Sequence, residues 1–182
     1  MRRLAAILVL LVLWLPGPAP AQGDPRLDKL FERLKAARDA EEAQPIEFEI
    51  WHGWIAAGGP AAESLVLLGI GSMQREDWVG ALGLFDAVTV QHPDYAEGWN
   101  KRATVLFLMG ALDASAADCA KVLALEPRHF GALSGLGLIR AKQARWDDAM
   151  KAFEQALAVH PNLAGAKQNL ETLRRQRGDK PI

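Results

Sequence analysis

The chain has 182 residues, of which 50% are hydrophobic and 24% charged, with a formal net charge of −1; this is the composition of one ordinary folded domain and excludes a disordered or fibrous chain. The first 21 residues carry two arginines and no acid, so without them the balance is 19 basic against 22 acidic residues, or −3, and neither value is the basic excess of a general nucleic-acid binder. Cys119 is the single cysteine, which excludes an internal disulfide and any multi-cysteine metal cluster.

Arg2 and Arg3 precede an apolar run from Leu4 to Leu15, followed by Pro16, Gly17 and Ala19-Pro20-Ala21. That is the order of a charged region, a hydrophobic core and a small-residue cleavage site in a secretory signal peptide, so residues 1–21 are expected to be removed after Ala21. The twelve-residue run falls short of the roughly 18 to 20 apolar residues that span a bilayer. The expected product has no membrane span and is soluble outside the cytoplasm, in a bacterial periplasm.

Residues 22–61 read as a helix pair. Leu27, Leu30, Phe31, Leu34 and Ala37 form one apolar stripe, and Asp24-Pro25 is a helix start. Ile46, Ile50, Trp51 and Trp54 form a second stripe, ended by Gly58-Gly59-Pro60. Glu41, Glu42, Glu47 and Glu49 fall on the opposite faces and are expected to be solvated. Trp51, His52 and Trp54 also admit an aromatic ligand site, although tryptophan at helical spacing is the mark of core.

Pro93, Pro127 and Pro161 are 34 residues apart, and each ends a stretch with one apolar pattern, the signature of stacked helical hairpins. Three units follow, 62–95, 96–129 and 130–163. In the first helices the inward positions are Leu65, Leu68 and Gly69, then Trp99 and Ala103, then Leu133, Leu136 and Gly137. In the second helices they are Ala81, Phe85 and Val88, then Ser115, Cys119 and Val122, then Ala149, Phe153 and Ala156. Trp78, Leu112 and Trp146 recur at the turn into each second helix. Residues 164–182 begin like a further first helix, with Leu170 and Leu173 apolar, and read as a capping helix and tail. The basic residues from Lys167 to Lys180 admit a phosphate or anionic-surface reading beside that of a solvated cap.

The third unit, with Leu133-x2-Leu136-Gly137, Ala149-x3-Phe153, Ala156 and Pro161, resembles the tetratricopeptide repeat (TPR) family. The resemblance covers residues 62–163 and implies an all-α, right-handed α-solenoid of three TPR hairpins, with the N-terminal helix pair and the C-terminal cap at its ends. Ser72, Arg140 and Arg102 depart from the pattern, where the family prefers bulky residues or leucine, and imply looser packing with arginine stems along apolar surface. The resemblance further implies a concave groove lined by the first helices, here Val66, Ile70 and Met73, then Asn100, its neighbour Lys101, Thr104 and Phe107, then Ser134 and Leu138. The leading helices, through Trp51 and Trp54, are the alternative cover for the apolar end of that groove. The family's lysine–asparagine–arginine clamp for a C-terminal carboxylate is matched only by Asn100 and Lys101, so no such clamp is expected.

Four histidines invite a metal reading, but His92 and His160 fall in turns two units apart, at least about 16 to 20 Å at one helix-packing distance per unit, too far to share a metal. Cys119 stands where the other units have Phe85 and Phe153 and reads as buried. Glu76-Asp77 and Asp147-Asp148 read as helix-start acids. No nucleophile–base pair, HExxH or phosphate loop is visible. The expected function is a non-catalytic scaffold that binds a protein or peptide, in envelope or secreted-protein assembly, with neither cofactor nor metal. The alternative is a self-associating structural module that forms a homo-oligomer.

Overall fold

The computed structural model describes residues 25–178; the proposed signal peptide, Asp24 and Lys180 lie outside them. Among the described residues there are nine helices and no strand. They are α1 (Pro25–Ala36), α2 (Ala40–Ala56), α3 (Gly59–Gln74), α4 (Trp78–Gln91), α5 (Ala96–Leu108), α6 (Leu112–Leu125), α7 (Phe130–Lys142), α8 (Trp146–Val159) and α9 (Ala164–Arg177). Helices α3–α4, α5–α6 and α7–α8 are three hairpins, each packed on the next, with α9 against α8.

Spacing at i, i+4 and i+7 gives each second helix one buried stripe. All nine of its inward residues, from Ala81 to Ala156, are at most 2% exposed. Facing them, Gly69 and Gly137 admit the rings of Phe85 and Phe153, which lie 2.5 and 2.6 Å from where a Cβ would stand. In the middle hairpin the larger partner is missing, because Ala103 faces Cys119. The turns within hairpins also repeat. Glu76, Gly110 and Ala144, spaced by 34, adopt φ of 60°, 81° and 56°, the left-handed region in which glycine alone is free of steric cost. Each turn is closed by the backbone N–H of the following residue, as from Asp77 to the Ser72 carbonyl and Ala111 to the Leu106 carbonyl.

Three expectations from the sequence change. Leu68 is 60% exposed rather than inward. Arg102 lies over the Trp99 ring but is not loosely held: its guanidinium makes two 2.7 Å bonds to the Asp118 carboxylate and reaches Asp86 and Thr89. Ser72 is buried and accepts a bond from Arg75, so hydrogen bonding compensates the smaller side chain there.

The leading pair does not simply extend the stack. Helices α2 and α3 meet at 115°, a bend made possible by Gly59 at φ +75°, and α2 runs back along the turns that join one hairpin to the next. The Tyr95 hydroxyl donates to the Ile55 carbonyl, Trp54 stacks on His129, His160 meets Glu47, and Asn162 donates to the Ala37 carbonyl. Phe31, Leu34, Ile46, Ile50 and Trp54 bury their stripes together against Phe130. Among the described residues no single helix is long and apolar enough to cross a membrane.

Candidate binding pocket

Between α5 and α7 the concave side opens into a cavity of about 280 Å³. Its cause is local. Cys119 and Ser115 hold the positions of Phe153 and Ala149, so the phenyl ring that fills the third hairpin is absent from the second. Gly135 on α7 adds no side chain above, its missing Cβ being 3.9 Å from the Cys119 Sγ. The floor is therefore Ala103, Ser115 and Cys119, and the walls are Asn100, Thr104 and Phe107 on α5 and Ser134 and Leu138 on α7.

Five of the nine groove positions read from the sequence meet here: Asn100, Thr104, Phe107, Ser134 and Leu138. Val66 does not, being fully buried with Phe85, Tyr95 and Val105, and Ile70 and Met73 pack on that same cluster. Their cover is the core of the first hairpin and not Trp51 or Trp54. Lys101 lies beside the pocket, its ammonium 5.2 Å from the Trp51 ring centroid. The sequence missed Glu47, which with Trp51, admitted there as part of an aromatic ligand site, forms the wall at the N-terminal ends of α5 and α7. Gly131 was the available signal, since a Cβ there would stand 2.6 Å from the Trp51 ring.

A buried polar network fixes this wall. Glu97, 1% exposed, accepts from Asn100 Nδ2 at 3.0 Å and pairs with Lys101 at 2.8 Å. The Nδ1 of His129 accepts from the Ala132 N–H, capping α7, so its Nε2 carries the proton and donates to Glu97 at 3.1 Å. Burial pushes the Glu97 carboxyl up, but the His129 bond and the Lys101 charge outweigh it and hold the group below its ordinary value. Glu47, expected on a solvated face, instead accepts from His160 Nε2 at 3.1 Å and from Trp51 Nε1 at 3.2 Å. The His160 bond foremost, against the opposing effect of burial, holds its carboxyl below the ordinary value.

On the pocket floor, burial pushes the Cys119 thiol up to about 12, so it is a packing group rather than a nucleophile. Among the described residues no group of three or more His, Cys, Asp and Glu is placed to hold a metal ion. The chemistry on offer is shape, apolar contact and a few hydrogen-bonding groups.

This hairpin stack with a pocket on its first helices defines a helical-repeat protein. Residues 132–181 match the family model described as tetratricopeptide repeat. A TPR repeat-containing protein of Rhizobium etli is 36% identical over 148 residues, which are 81% of this chain and 72% of that protein. The chain belongs to the tetratricopeptide repeat family. Among solved structures, the first TPR domain of Spaghetti (RPAP3) bound to an HSP90 peptide superposes with a TM-score of 0.62 at 20% identity, covering 65% of this chain and 94% of that one. The Sgt2 TPR domain of Aspergillus fumigatus gives 0.62 at 23% identity, covering 68% and 87%. The TPR2B domain of yeast Sti1 in its pHsp70 complex gives 0.59 at 20%, covering 64% and 98%.

Proposed function

We propose that the chain is a non-catalytic scaffold, exported on residues 1–21, that binds a protein or peptide segment in the pocket between α5 and α7 during envelope or secreted-protein assembly. The observation that carries this reading is the apolar cavity floored by Cys119 and walled by Phe107 and Leu138. Support comes from structures of the same fold solved with an HSP90 peptide and with pHsp70. Crosslinking in the producing cells, followed by capture, tests it with two variants, Gly135→Leu, which fills the cavity, and Leu138→Glu, which charges it. Loss of the captured partners with unchanged helicity is expected. The same partners at the same yield in both variants reject the reading. Export predicts a processed chain beginning at Gln22 in the periplasmic fraction; an unprocessed cytoplasmic chain rejects that part alone.

A second reading has one observation of its own. Leu67 and Leu68 on α3 and Val79 on α4 are 52%, 60% and 74% exposed, an apolar surface on the first hairpin suited to self-association. Sedimentation over a wide concentration range tests it: a dimer abolished by Leu68→Glu supports it, and a monomer throughout rejects it.

A further inference from the structure

The groups around the pocket are not neutral in their preference for a ligand. The two side chains that could hold an anion, Asn100 and Lys101, are both turned to Glu97 at 3.0 and 2.8 Å. The Lys101 charge is matched by Glu97 inside the fold, so a partner's carboxylate finds no uncompensated cation at this end. The group that remains is Glu47. Its side chain is 32% exposed and it lines the cavity.

Glu47 is a carboxylate held by two donors from the fold, the Nε2 of the buried His160 and the neutral indole N–H of Trp51. Each carboxylate oxygen takes one of these bonds, and a carboxylate accepts about four in all. One lone-pair site on each oxygen is left, the arrangement that a planar forked donor satisfies.

The far end of the pocket differs. Phe107 stands seven residues beyond Asn100 on α5, about 10 Å at the helical rise, and Lys142 lies over its ring with the ammonium 4.7 Å from the centroid. A second cation is repelled there, while an apolar side chain is accepted by Phe107, Leu138 and the Cys119 floor. The pocket thus has a carboxylate at one end, an apolar trough in the middle and a cation at the other.

We infer that the partner of this pocket anchors through an arginine set beside a bulky apolar residue, with the guanidinium on Glu47 and the apolar side chain over Cys119. The inference rests on the reading that the pocket holds a peptide, and adds the chemistry that the peptide must carry.

The test is isothermal titration of the purified chain with N-acetylated, C-amidated pentapeptides, Gly-Arg-Leu-Phe-Gly and the same peptide with citrulline or glutamate in place of arginine. Citrulline keeps the shape and removes the charge. At least about tenfold weaker binding of the citrulline and glutamate peptides is expected, the value of one charge-assisted bond. Glu47→Gln should weaken the arginine peptide by a similar factor and leave the citrulline peptide unchanged, while Gly135→Leu should weaken both. If the three peptides bind equally and all respond to Gly135→Leu, the pocket holds peptides and the arginine anchor is wrong. If none binds, or Gly135→Leu changes nothing, the pocket reading fails together with the anchor.

Discussion

Trp54 lies flat on His129, their ring centroids 3.9 Å apart and their planes within 8° of parallel. The two residues come from different units, one from the leading helix pair and the other from the turn before the third hairpin. His129 is fixed in turn by Glu97 and by the α7 backbone, so the stack fastens α2 to the repeats at their centre. Trp54→Ala removes one of the two tryptophans of this junction and is expected to cost about 3 to 5 kcal/mol, read as a lower urea midpoint. Because the leading pair is held largely from this face, the variant should also be cut by protease near Ala57–Gly59 under conditions in which the parent chain resists. Equal resistance would show that α2 is held without Trp54.

Arg102 sits where the family pattern has leucine, and the expected packing defect is absent because Asp118 compensates it. Asp118 is 4% exposed and the guanidinium grips both its oxygens. Arg102→Leu restores the family residue yet strands a buried carboxylate, so it is expected to destabilise the fold by roughly 3 to 5 kcal/mol. The double variant Arg102→Leu, Asp118→Ala should recover most of that loss in chemical denaturation. If it is no more stable than the single variant, the pair is not what Asp118 is buried for.

The contrast between these two sites shows what the sequence can carry. Ala81, Phe85 and Val88 and their equivalents were legible because local periodicity decides which side of a helix is buried, and three copies repeated the message. Asn100, Thr104, Phe107, Ser134 and Leu138, which share one cavity, were placed on a common groove by the resemblance to the family and not by periodicity. The pocket's own cause was half visible, since Cys119 in the place of a phenylalanine marks a missing volume. Glu47 was not legible: its bond to His160 joins residues 113 apart in the chain, outside any repeat, and its neighbours on α2 are acids on a solvated face. Leu68 failed for the complementary reason. Its equivalent Leu136 packs on Ala116 and Cys119 of the preceding hairpin, whereas among the described residues no hairpin precedes α3 and the bend at Gly59 sends α2 elsewhere.

Glycine separates packing from conformation in this fold. A Cβ at Gly137 would meet the Phe153 ring at 2.6 Å, so Gly137→Ala is expected to cost about 1 to 3 kcal/mol through overpacking. Gly83, in the interior of α4, has nothing within 4 Å of its missing Cβ. Gly83→Ala should therefore stabilise by up to about 1 kcal/mol through helix propensity. Thermal unfolding of the two variants should move in opposite directions, and a shift of the same sign would mean that the α7–α8 contact yields without strain.

Cys119 offers a direct check on the pocket floor. It is 2% exposed and burial pushes its thiol up to about 12, so the thiolate is scarce at about pH 8, where an ordinary cysteine reacts readily. Labelling by an aromatic disulfide reagent should be slow in the folded chain and complete in urea. A peptide seated over the sulfur should slow it further. Rapid labelling of the folded chain would show that the cavity reaches the sulfur from solvent.

The two depressed carboxyls set the response to acid. Glu47 and Glu97 both lie below the ordinary value of 4.5 in the folded chain, so the unfolded chain binds protons first as pH falls. Their contribution is complete above about 4.5 and is lost as pH falls through the folded values, which makes stability decline on the acid side. Glu47 bonds His160, and Glu97 bonds His129 beneath Trp54, so their protonation acts on the junction between α2 and the turns. Glu47→Gln should be less stable at neutral pH and should flatten the decline below about 4.5, followed by urea midpoints against pH. An acid limb with the slope of the parent chain would show that Glu47 does not contribute to it.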